Sequence, residues 1–298
     1  MNTEQVFKTV AIIYNPNSTG SSEVYAKELA EELKGRDSSV KLSVIATDHA
    51  GHAEELAYDL ARNEPDILIV SSSGDGGYHE VVNGVMRARA QGYVATAGLL
   101  PAGNANDHWN NINDGGITRA IITGHRRRIE LIHVSVTSEV WSWQRYAHSY
   151  AGIGMTPSIG LELNKAKLNR FNEAWIVLRS LMQLRPVKVI IDGKIHRYDS
   201  LIFSNVARMS KVLKLSDDSD LSDGKFEVTA LRTRNKFHLI WELLHTVTMG
   251  SKVPTQVKSF TFLTVKKMAI QLDGELHRLP AGATIVVRIE PNALWCVV

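Results

Sequence analysis

The sequence is poor in the features that mark secreted and membrane-spanning proteins. Cys296 is its only cysteine, so an internal disulfide is excluded and a reducing compartment is favoured. No apolar run approaches the roughly 18 residues of a membrane-spanning helix. The stretch from Met1 to Lys8 is polar, so a secretory signal peptide is not expected there. We therefore expect a cytoplasmic protein without a membrane span.

An excess of charge of one sign is also lacking. Lysine and arginine number 34 against 31 aspartate and glutamate residues, which gives a net charge of +3. That excess weakly favours an anionic ligand and is too small to indicate nucleic-acid binding. The hydrophobic fraction of 44% and the charged fraction of 22% are those of a globular protein. With 298 residues the chain is long enough for two modest domains or one large domain.

The N-terminal part alternates strand-like and helix-like patterns. Short apolar runs predict strands at residues 10–14, 40–47, 66–70 and 97–100. Apolar residues at helical spacing lie between them, at residues 23–33, 50–63 and 78–85. Strands that alternate with helices predict a parallel sheet covered on both faces. Ligands bind such sheets at the carboxyl ends of the strands, where the polar turns of this segment cluster.

The pattern changes after about Arg126. Further strands are predicted at residues 128–136, 187–192, 201–206, 226–231, 259–265, 268–273 and 284–289. Helical spacing returns at residues 159–184 and 236–249. We predict an α/β + β protein of two domains. A Rossmann-like α/β domain covers residues 1–133, and a β-sandwich domain with inserted helices covers residues 134–298.

A glycine-rich turn follows the strand predicted at residues 66–70. Gly74, Gly76 and Gly77 surround Asp75 just before a predicted helix. Glycines let backbone amides approach an anion closely, and the amides of a helix N-terminus stabilise negative charge. The aspartate would repel a phosphate unless a cation lies between them. The turn is therefore either a nucleotide site that works with a metal or a tight strand-to-helix turn.

Known phosphate-binding patterns do not cover this turn. The Rossmann fingerprint fails because His79 stands where its third glycine belongs, and no Walker-type P-loop occurs in the chain. Two more polar turns follow predicted strands, at residues 15–20 and 101–107. Taken singly, each of these is better explained as a helix N-cap or a polar turn than as a ligand site.

Taken together, the three turns resemble one family. NPNS, SGDGG with its EVVNG helix, and PAGNAND are similar to the NPxSG, GGDGT and PxGTxND motifs of the diacylglycerol-kinase catalytic domain. That family includes bacterial soluble lipid kinases and the sphingosine and ceramide kinases. It shares its GDG core with NAD kinase, so the resemblance implies that the α/β domain is NAD-kinase-like. RRRIELIHV with SYAGIG, DLSDGKFEVTAL and IQLDGEL resemble its later segments, so the resemblance covers nearly the whole chain.

The resemblance implies a kinase that uses ATP and Mg²⁺ and acts in phospholipid biosynthesis. The nucleotide-binding positions that it implies are Asn15, Pro16, Asn17, Ser18, Thr19, Thr47, Ser73, Gly74, Asp75, Gly76, Gly77, Glu80, Gly103, Asn104, Asn106 and Asp107. Asp75 would hold the catalytic Mg²⁺ through water. A second, structural Mg²⁺ would be bound by the Asp223 carboxylate and the backbone carbonyls of Asp220 and Lys225.

The resemblance also implies where the base lies. In the family the carboxylates of the DGE motif lie across the interdomain cleft from the GDG loop, and Asp273 and Glu275 match them. A carboxylate within hydrogen-bond reach of a lipid hydroxyl helps to remove its proton. Glu275 is the expected base, with Asp273 assisting it or engaging Mg²⁺. From the residues alone, Asp273 and Gly274 indicate a plain hairpin turn, and only the resemblance suggests a catalytic role.

The chain departs from the family's motifs at four positions. Ser73 replaces a glycine, Gly77 and Asn104 replace threonines, and Glu130 stands in place of an aspartate. An active lipid kinase is therefore weighed against a catalytically weak or inactive member that binds nucleotide or lipid. A small-molecule kinase of the NAD-kinase type is a further alternative.

A lipid substrate implies contact with a membrane. Residues 161–185 combine basic and apolar side chains, a pattern that fits either a helix lying on anionic lipid or a solvated helix packed on the sheet. We expect a cytoplasmic protein that visits the inner membrane surface transiently and does not bind nucleic acid. The identity of the lipid and the oligomeric state, a homodimer included, are left open.

Overall fold

The computed structural model describes most of the chain in two compact units. The described residues are 7–18, 20–112, 116–163, 175–176, 179–180, 182–183, 185–206, 208–209, 213–214, 223–233, 235, 238 and 255–298. The first unit comprises Met1–Glu130 with Pro291–Val298, and the second comprises Leu131–Glu290. No helix within the described residues is long and apolar enough to cross a membrane.

The first unit contains a parallel sheet with helices. Its strands are β1 (Thr9–Tyr14), β2 (Lys41–Ala46), β3 (Leu68–Ser73) and β4 (Thr96–Pro101). Its helices are α1 (Ser22–Arg36), α2 (His52–Asn63), α3 (Asp75–Arg89), α4 (Asp107–Ile112) and α5 (Ile117–Thr123). The four predicted strands and the three predicted helices are confirmed. The helix start expected at residues 104–107 is the start of α4, whereas α5 was not predicted.

The strand order of this sheet is β2-β1-β3-β4, and all three of these pairs are parallel. The carboxyl ends of β1, β3 and β4 therefore lie side by side. β3 is buried along its whole length, which explains why its sequence is an unbroken apolar run that ends in serines. α1 covers the same core with Ala26, Leu29, Ala30 and Leu33, at helical spacing. The predicted parallel α/β sheet is thus confirmed.

The second unit is dominated by strands. It contains β5 (Arg126–Thr137), β6 (Ser142–Ala147), β7 (Tyr150–Gly154), α6 (Met155–Leu163), β8 (Val187–Ile191), β9 (Lys194–Tyr198), β10 (Ser200–Ser204), β11 (Arg208–Met209), β12 (Leu213–Lys214), β13 (Phe226–Leu231), β14 (Thr255–Val257), β15 (Ser259–Thr264), β16 (Met268–Leu272), β17 (Glu275–Leu279) and β18 (Thr284–Val297). β5 begins and β18 ends in residues of the first unit. The seven strands predicted after Arg126 are confirmed.

Two sheets share one buried core in this unit. Six strands have the order β14-β13-β10-β7-β16-β17, and β15 pairs with β8 and with the first part of β18. Phe203 and Ile270 of the six-stranded sheet lie in the same core cluster as Val134 of β5, Phe262 of β15 and Val287 of β18. Burial alternates along β15 and the first part of β18, whereas β7 and β10 are buried at every residue.

Most residues of two predicted helices lie outside the described part of the chain. The helix predicted at 159–184 begins within α6, and most of its remaining residues lie outside the described part of the chain. The helix predicted at 236–249 lies outside it except for His238. The membrane-facing helix that was one alternative for residues 161–185 therefore stays a prediction.

The end of β18 belongs to the first unit. Trp295 and Cys296 pair in parallel with Thr96 and Ala97 at the start of β4. The predicted domain boundaries of 1–133 and 134–298 assigned these last residues to the second domain. The end of β18 pairs with β4, which lies far away in the sequence. A local sequence pattern does not encode such pairing.

Candidate active site

The three polar turns meet at the carboxyl edge of the parallel sheet. A β-carbon on Gly20 would lie 2.0 Å from the carbonyl oxygen of Ala102, and one on Gly103 would lie 2.3 Å from Cα of Gly74. The Ala102 N–H donates to the Ser73 carbonyl at 2.9 Å. Only glycine allows backbones to approach so closely. The expectation that these turns cluster is confirmed by these contacts.

The first turn is held by hydroxyl groups. The Ser18 hydroxyl donates to Oγ of Ser22 at 2.9 Å, and the Ser22 hydroxyl donates to the Asn15 carbonyl at 2.6 Å. The Asn17 N–H donates to Oδ1 of Asn15 at 2.8 Å. Asn15, Pro16 and Asn17 are exposed, so the turn faces solvent. Thr19, which the resemblance also assigns to the nucleotide, lies outside the described residues.

The second turn places Asp75 at the first residue of α3. The first hydrogen bond of the helix runs from the Tyr78 N–H to the Gly74 carbonyl, at 3.1 Å. Amides ahead of that bond have no acceptor within the helix and are the donors that bind anions at helix N-termini. Oδ1 of Asp75 accepts the backbone N–H of His108 at 3.2 Å, which joins α3 to α4.

The third turn is closed by Asn106. Its Oδ1 accepts the Gly103 N–H and its Nδ2 donates to the Gly103 carbonyl, both at 3.0 Å. Its backbone has φ of 53°, a conformation that asparagine tolerates better than most residues. Asn104 is exposed, whereas Asp107 is buried at the start of α4. Of these predicted residues, Asn106 shapes the turn and Asn104 faces solvent.

Glu80 lies on α3 and contacts the start of α2. Its Oε1 accepts the Gly51 N–H at 2.9 Å and its Oε2 accepts the Ala53 N–H at 3.1 Å. These bonds satisfy amides that a helix start leaves without partners. Thr47, at the end of β2, donates its backbone N–H to the Tyr14 carbonyl at 2.9 Å. The structure thus gives Glu80, a predicted nucleotide-binding residue, the contacts of a capping residue.

The two DGE carboxylates of the second unit differ in exposure. Asp273 is fully buried, and it accepts the backbone N–H groups of His148 at 2.8 Å, Ser149 at 2.9 Å and Tyr150 at 3.0 Å. Both of its oxygens are therefore used to hold the start of β7. Glu275 is exposed at the first residue of β17. Within this unit, Glu275 can reach a ligand and Asp273 is enclosed by protein.

The turn between β16 and β17 has the backbone of a two-residue hairpin. Leu272 pairs with Glu275, and the residues between them, Asp273 and Gly274, have φ of 48° and 99°. Positive φ at both central residues is the mark of the tight hairpin turn that Asp-Gly favours. The hairpin reading of this segment is thus confirmed, and it places the exposed Glu275 directly after the turn.

Part of the predicted structural metal site lies within the described residues. Oδ1 of Asp223 accepts the Lys225 N–H at 2.9 Å, and both residues are exposed. Asp220 lies outside the described residues. Among the described residues, no group of three or more histidine, cysteine, aspartate or glutamate side chains could hold a metal ion. A carboxylate joined by backbone carbonyls is a donor set that suits Mg²⁺ or Ca²⁺, and this metal site stays a prediction.

Two buried clusters were missed by sequence reasoning. Beneath α3, the Cys296 thiol lies 3.3 Å from the Tyr78 hydroxyl and 3.8 Å from Nε2 of His108. Burial raises the pKa of Cys296 to about 11, so its thiol is uncharged at neutral pH. In the second unit, His148 and Ser149 join Asp273.

Comparisons with known proteins agree with this arrangement. Residues 9–134 match the model of the diacylglycerol kinase catalytic domain. Diacylglycerol kinases of Bacillus subtilis (strain 168) and Staphylococcus carnosus (strain TM300) are 29% and 26% identical to this chain. Each of the two alignments covers 92% of this chain. These alignments cover 92% and 91% of the two relatives.

Solved structures show the same fold. A diacylglycerol kinase from Bacillus anthracis str. Sterne superimposes with a TM-score of 0.71 at 15% identity, covering 98% of this chain and 97% of that one. A putative diacylglycerol kinase from the same source gives 0.70 at 17% identity, with the same coverage. Together with the order of its motifs, these matches support the resemblance to the diacylglycerol kinase catalytic-domain family of lipid kinases: residues 9–134 match its model, and nearly the whole chain aligns with bacterial diacylglycerol kinases.

Proposed function

We propose that the protein transfers the γ-phosphoryl group of ATP to a hydroxyl group of a lipid, with Mg²⁺ as cofactor. The observation that carries this proposal is the meeting of three polar turns at the carboxyl edge of the sheet, with backbone contacts from Gly20 to Ala102 and from Gly74 to Gly103. That edge is where open α/β sheets bind ligands. The resemblance and the named relatives supply the class of reaction.

The proposed nucleotide site uses the start of α3. Its first amides bind the ATP phosphates, and the exposed turn at residues 15–18 and Asn104 lie at the same edge. The Asp75 carboxylate would hold Mg²⁺, which neutralises charge on the phosphate oxygens when it is bound. The resemblance's second Mg²⁺ site, at Asp223 with the carbonyls of Asp220 and Lys225, remains part of the proposal.

The proposed base is Glu275. The lipid oxygen attacks the γ-phosphorus, its proton passes to the Glu275 carboxylate, and the bond from that phosphorus to the bridging oxygen breaks to release ADP. Asp273 holds the hairpin that carries Glu275, because its oxygens accept three backbone amides. The role of assisting base or Mg²⁺ ligand that was expected for Asp273 gives way to this positioning role in the proposal.

The acceptor is proposed from the relatives. They are named diacylglycerol kinases, and we propose a diacylglycerol-like or sphingoid-like alcohol presented by a membrane surface. The protein would act in the cytoplasm and visit the inner membrane surface.

Radiolabelled ATP and a panel of lipid alcohols in mixed micelles test the proposal. We expect one lipid to be labelled by the wild type and by Glu139→Gln, a matched change at another exposed glutamate of the second unit. Glu275→Gln should lower kcat at least about 100-fold. If no lipid is labelled while the Bacillus subtilis enzyme is active in the same assay, the enzyme proposal fails. Equal activity of Glu275→Gln and the wild type refutes the base assignment.

A second candidate is a nucleotide- or lipid-binding protein without turnover. It is favoured by Gly77 and Asn104, which replace the two threonines of the family's pattern. Saturable ATP binding without transfer to any lipid would support it. An assay with NAD as acceptor, run beside the lipid panel, tests the third candidate, a small-molecule kinase of the NAD-kinase type.

A further inference from the structure

The side chain of Ser73 fills the space beside Gly77. A β-carbon on Gly77 would lie 2.6 Å from Oγ of Ser73 and 2.7 Å from its Cβ. Real β-carbons essentially never come within 3.0 Å of another heavy atom in this way. Ser73 is the last residue of β3 and Gly77 is the third residue of α3. The turn between them therefore has room for one of the two side chains.

Ser73 is held in this position. Its side chain is buried, its Oγ lies 2.7 Å from Oγ of Ser71, and it donates to the Gly74 carbonyl at 2.9 Å. Moving the hydroxyl aside would break both hydrogen bonds within a buried strand end. A side chain at position 77 could therefore not be accommodated by a simple rotation of Ser73.

The two departures from the family's pattern are thus one exchange. The pattern has glycine at 73 and threonine at 77, whereas this chain has serine at 73 and glycine at 77. Each pattern carries one small hydroxyl residue at these two positions, threonine at 77 in the family and serine at 73 in this chain. In this chain it is attached to the strand.

We propose that Ser73 is the positioning residue of the phosphate-binding turn, and that it requires glycine at position 77. This inference rests on the proposed function, because it assigns the amides at the start of α3 to the nucleotide phosphates. The hydroxyl side chain belongs to Ser73 on the strand, and residue 77 is glycine. No side chain of residue 77 therefore lies beside the Gly77 N–H. The loss of the threonine is then a compensated change, and the turn retains its capacity to bind phosphate.

A double-mutant cycle tests the coupling without nucleotide. The variants are Ser73→Gly, Gly77→Thr and the two combined, and the readout is the melting temperature. Gly77→Thr alone should lower the melting temperature by at least about 3 °C, and the double variant should recover most of that loss. Gly35→Thr is the matched control on α1, where a β-carbon meets nothing within 4 Å. Additive effects of the two substitutions overturn the proposal.

The positioning role needs a separate readout. Ser73→Ala keeps the β-carbon that fills the space and removes the two hydrogen bonds of the hydroxyl. We expect the KM for ATP to rise about fivefold or more with little change in kcat. If the KM is unchanged in Ser73→Ala, the residue only fills space and the positioning role is overturned.

The two proposals fail differently. If the wild type transfers no phosphate, the kinase proposal fails, and the melting-temperature cycle still measures the coupling of Ser73 and Gly77. The stabilisation of each variant by ATP then replaces KM as the nucleotide readout. If the wild type is active and the cycle is additive, only the inference on Ser73 is lost.

Discussion

Asp273 and His148 are joined by backbone and by side chain. Oδ2 of Asp273 accepts the His148 N–H at 2.8 Å, and Nε2 of the same histidine lies 3.5 Å from that oxygen. Both side chains are fully buried. The contact ties the hairpin before Glu275 to the start of β7, so the geometry of the proposed base depends on a buried polar cluster.

Replacing Asp273 by asparagine tests that dependence. Asn offers one oxygen and one NH₂ group to three amide donors, so at least one buried donor loses its acceptor. We expect the free energy of unfolding to fall by about 2–4 kcal/mol, measured by urea denaturation. Asp192→Asn is the matched control, since Asp192 and Gly193 also form a hairpin turn with positive φ, and Asp192 is exposed. Equal losses in the two variants would contradict the structural role of Asp273.

Glu80 offers a test between capping and nucleotide binding. Glu80→Gln leaves one acceptor oxygen for the two amides at the start of α2. We expect a loss of about 1 kcal/mol in the free energy of unfolding, with the affinity for ATP nearly unchanged. Glu55→Gln, at an exposed glutamate on α2, should change neither quantity. A fall in ATP affinity without a fall in stability would instead support the sequence-based assignment of Glu80 to the nucleotide.

The contact between Gly74 and Gly103 leaves no room for a side chain. Gly103→Ala would place a β-carbon 2.3 Å from Cα of Gly74, in backbone that cannot move aside without opening the turn. We expect stability to fall by more than about 2 kcal/mol and ATP-dependent stabilisation to be lost. Gly35→Ala, at a site with no neighbour within 4 Å, is the control in the same assay. Unchanged ATP-dependent stabilisation in Gly103→Ala would remove this turn from the nucleotide site.

Cys296 should make stability depend on alkaline pH. Its folded pKa of about 11 lies above the ordinary value of 9.0 because the thiol is buried. Above pH 9 the unfolded chain loses the thiol proton while the folded chain keeps it, so stability falls as pH rises towards 11. The expected loss from this group is about 2–3 kcal/mol. The free energy of unfolding is measured against pH for the wild type and for Cys296→Ala, and the difference between the two profiles isolates the contribution of the thiol. Parallel profiles would contradict the prediction.

The sequence predicted the first unit well for physical reasons. Parallel strands buried on both faces give unbroken apolar runs, and β3 is one of them. Polar turns that follow such strands must share an edge, so the cluster around Gly74 and Gly103 followed from topology. The order of the motifs in these turns then indicated the diacylglycerol-kinase family.

Two parts of the candidate site could not be predicted. The burial of Asp273 depends on amides more than 120 positions earlier in the chain, which no local pattern reveals. In the sequence, the departures at Ser73 and Gly77 looked like two independent changes. Their contact forms only where the end of β3 meets the start of α3. Both are consequences of three-dimensional packing between residues whose spacing in sequence carries no signal.

The long strand β18 makes the first unit discontinuous in sequence. Topologically, the second unit is an insertion, because the chain leaves the first unit after Glu130 and returns to it at Pro291. A fragment that ends near residue 134, where the family match ends, would lack the strand that pairs with β4 at Thr96 and Ala97. The edge of β4 would then be unpaired, and such edges favour association with other chains. Dissecting this protein therefore calls for removing the insertion and rejoining the flanking strands, rather than for truncating the chain.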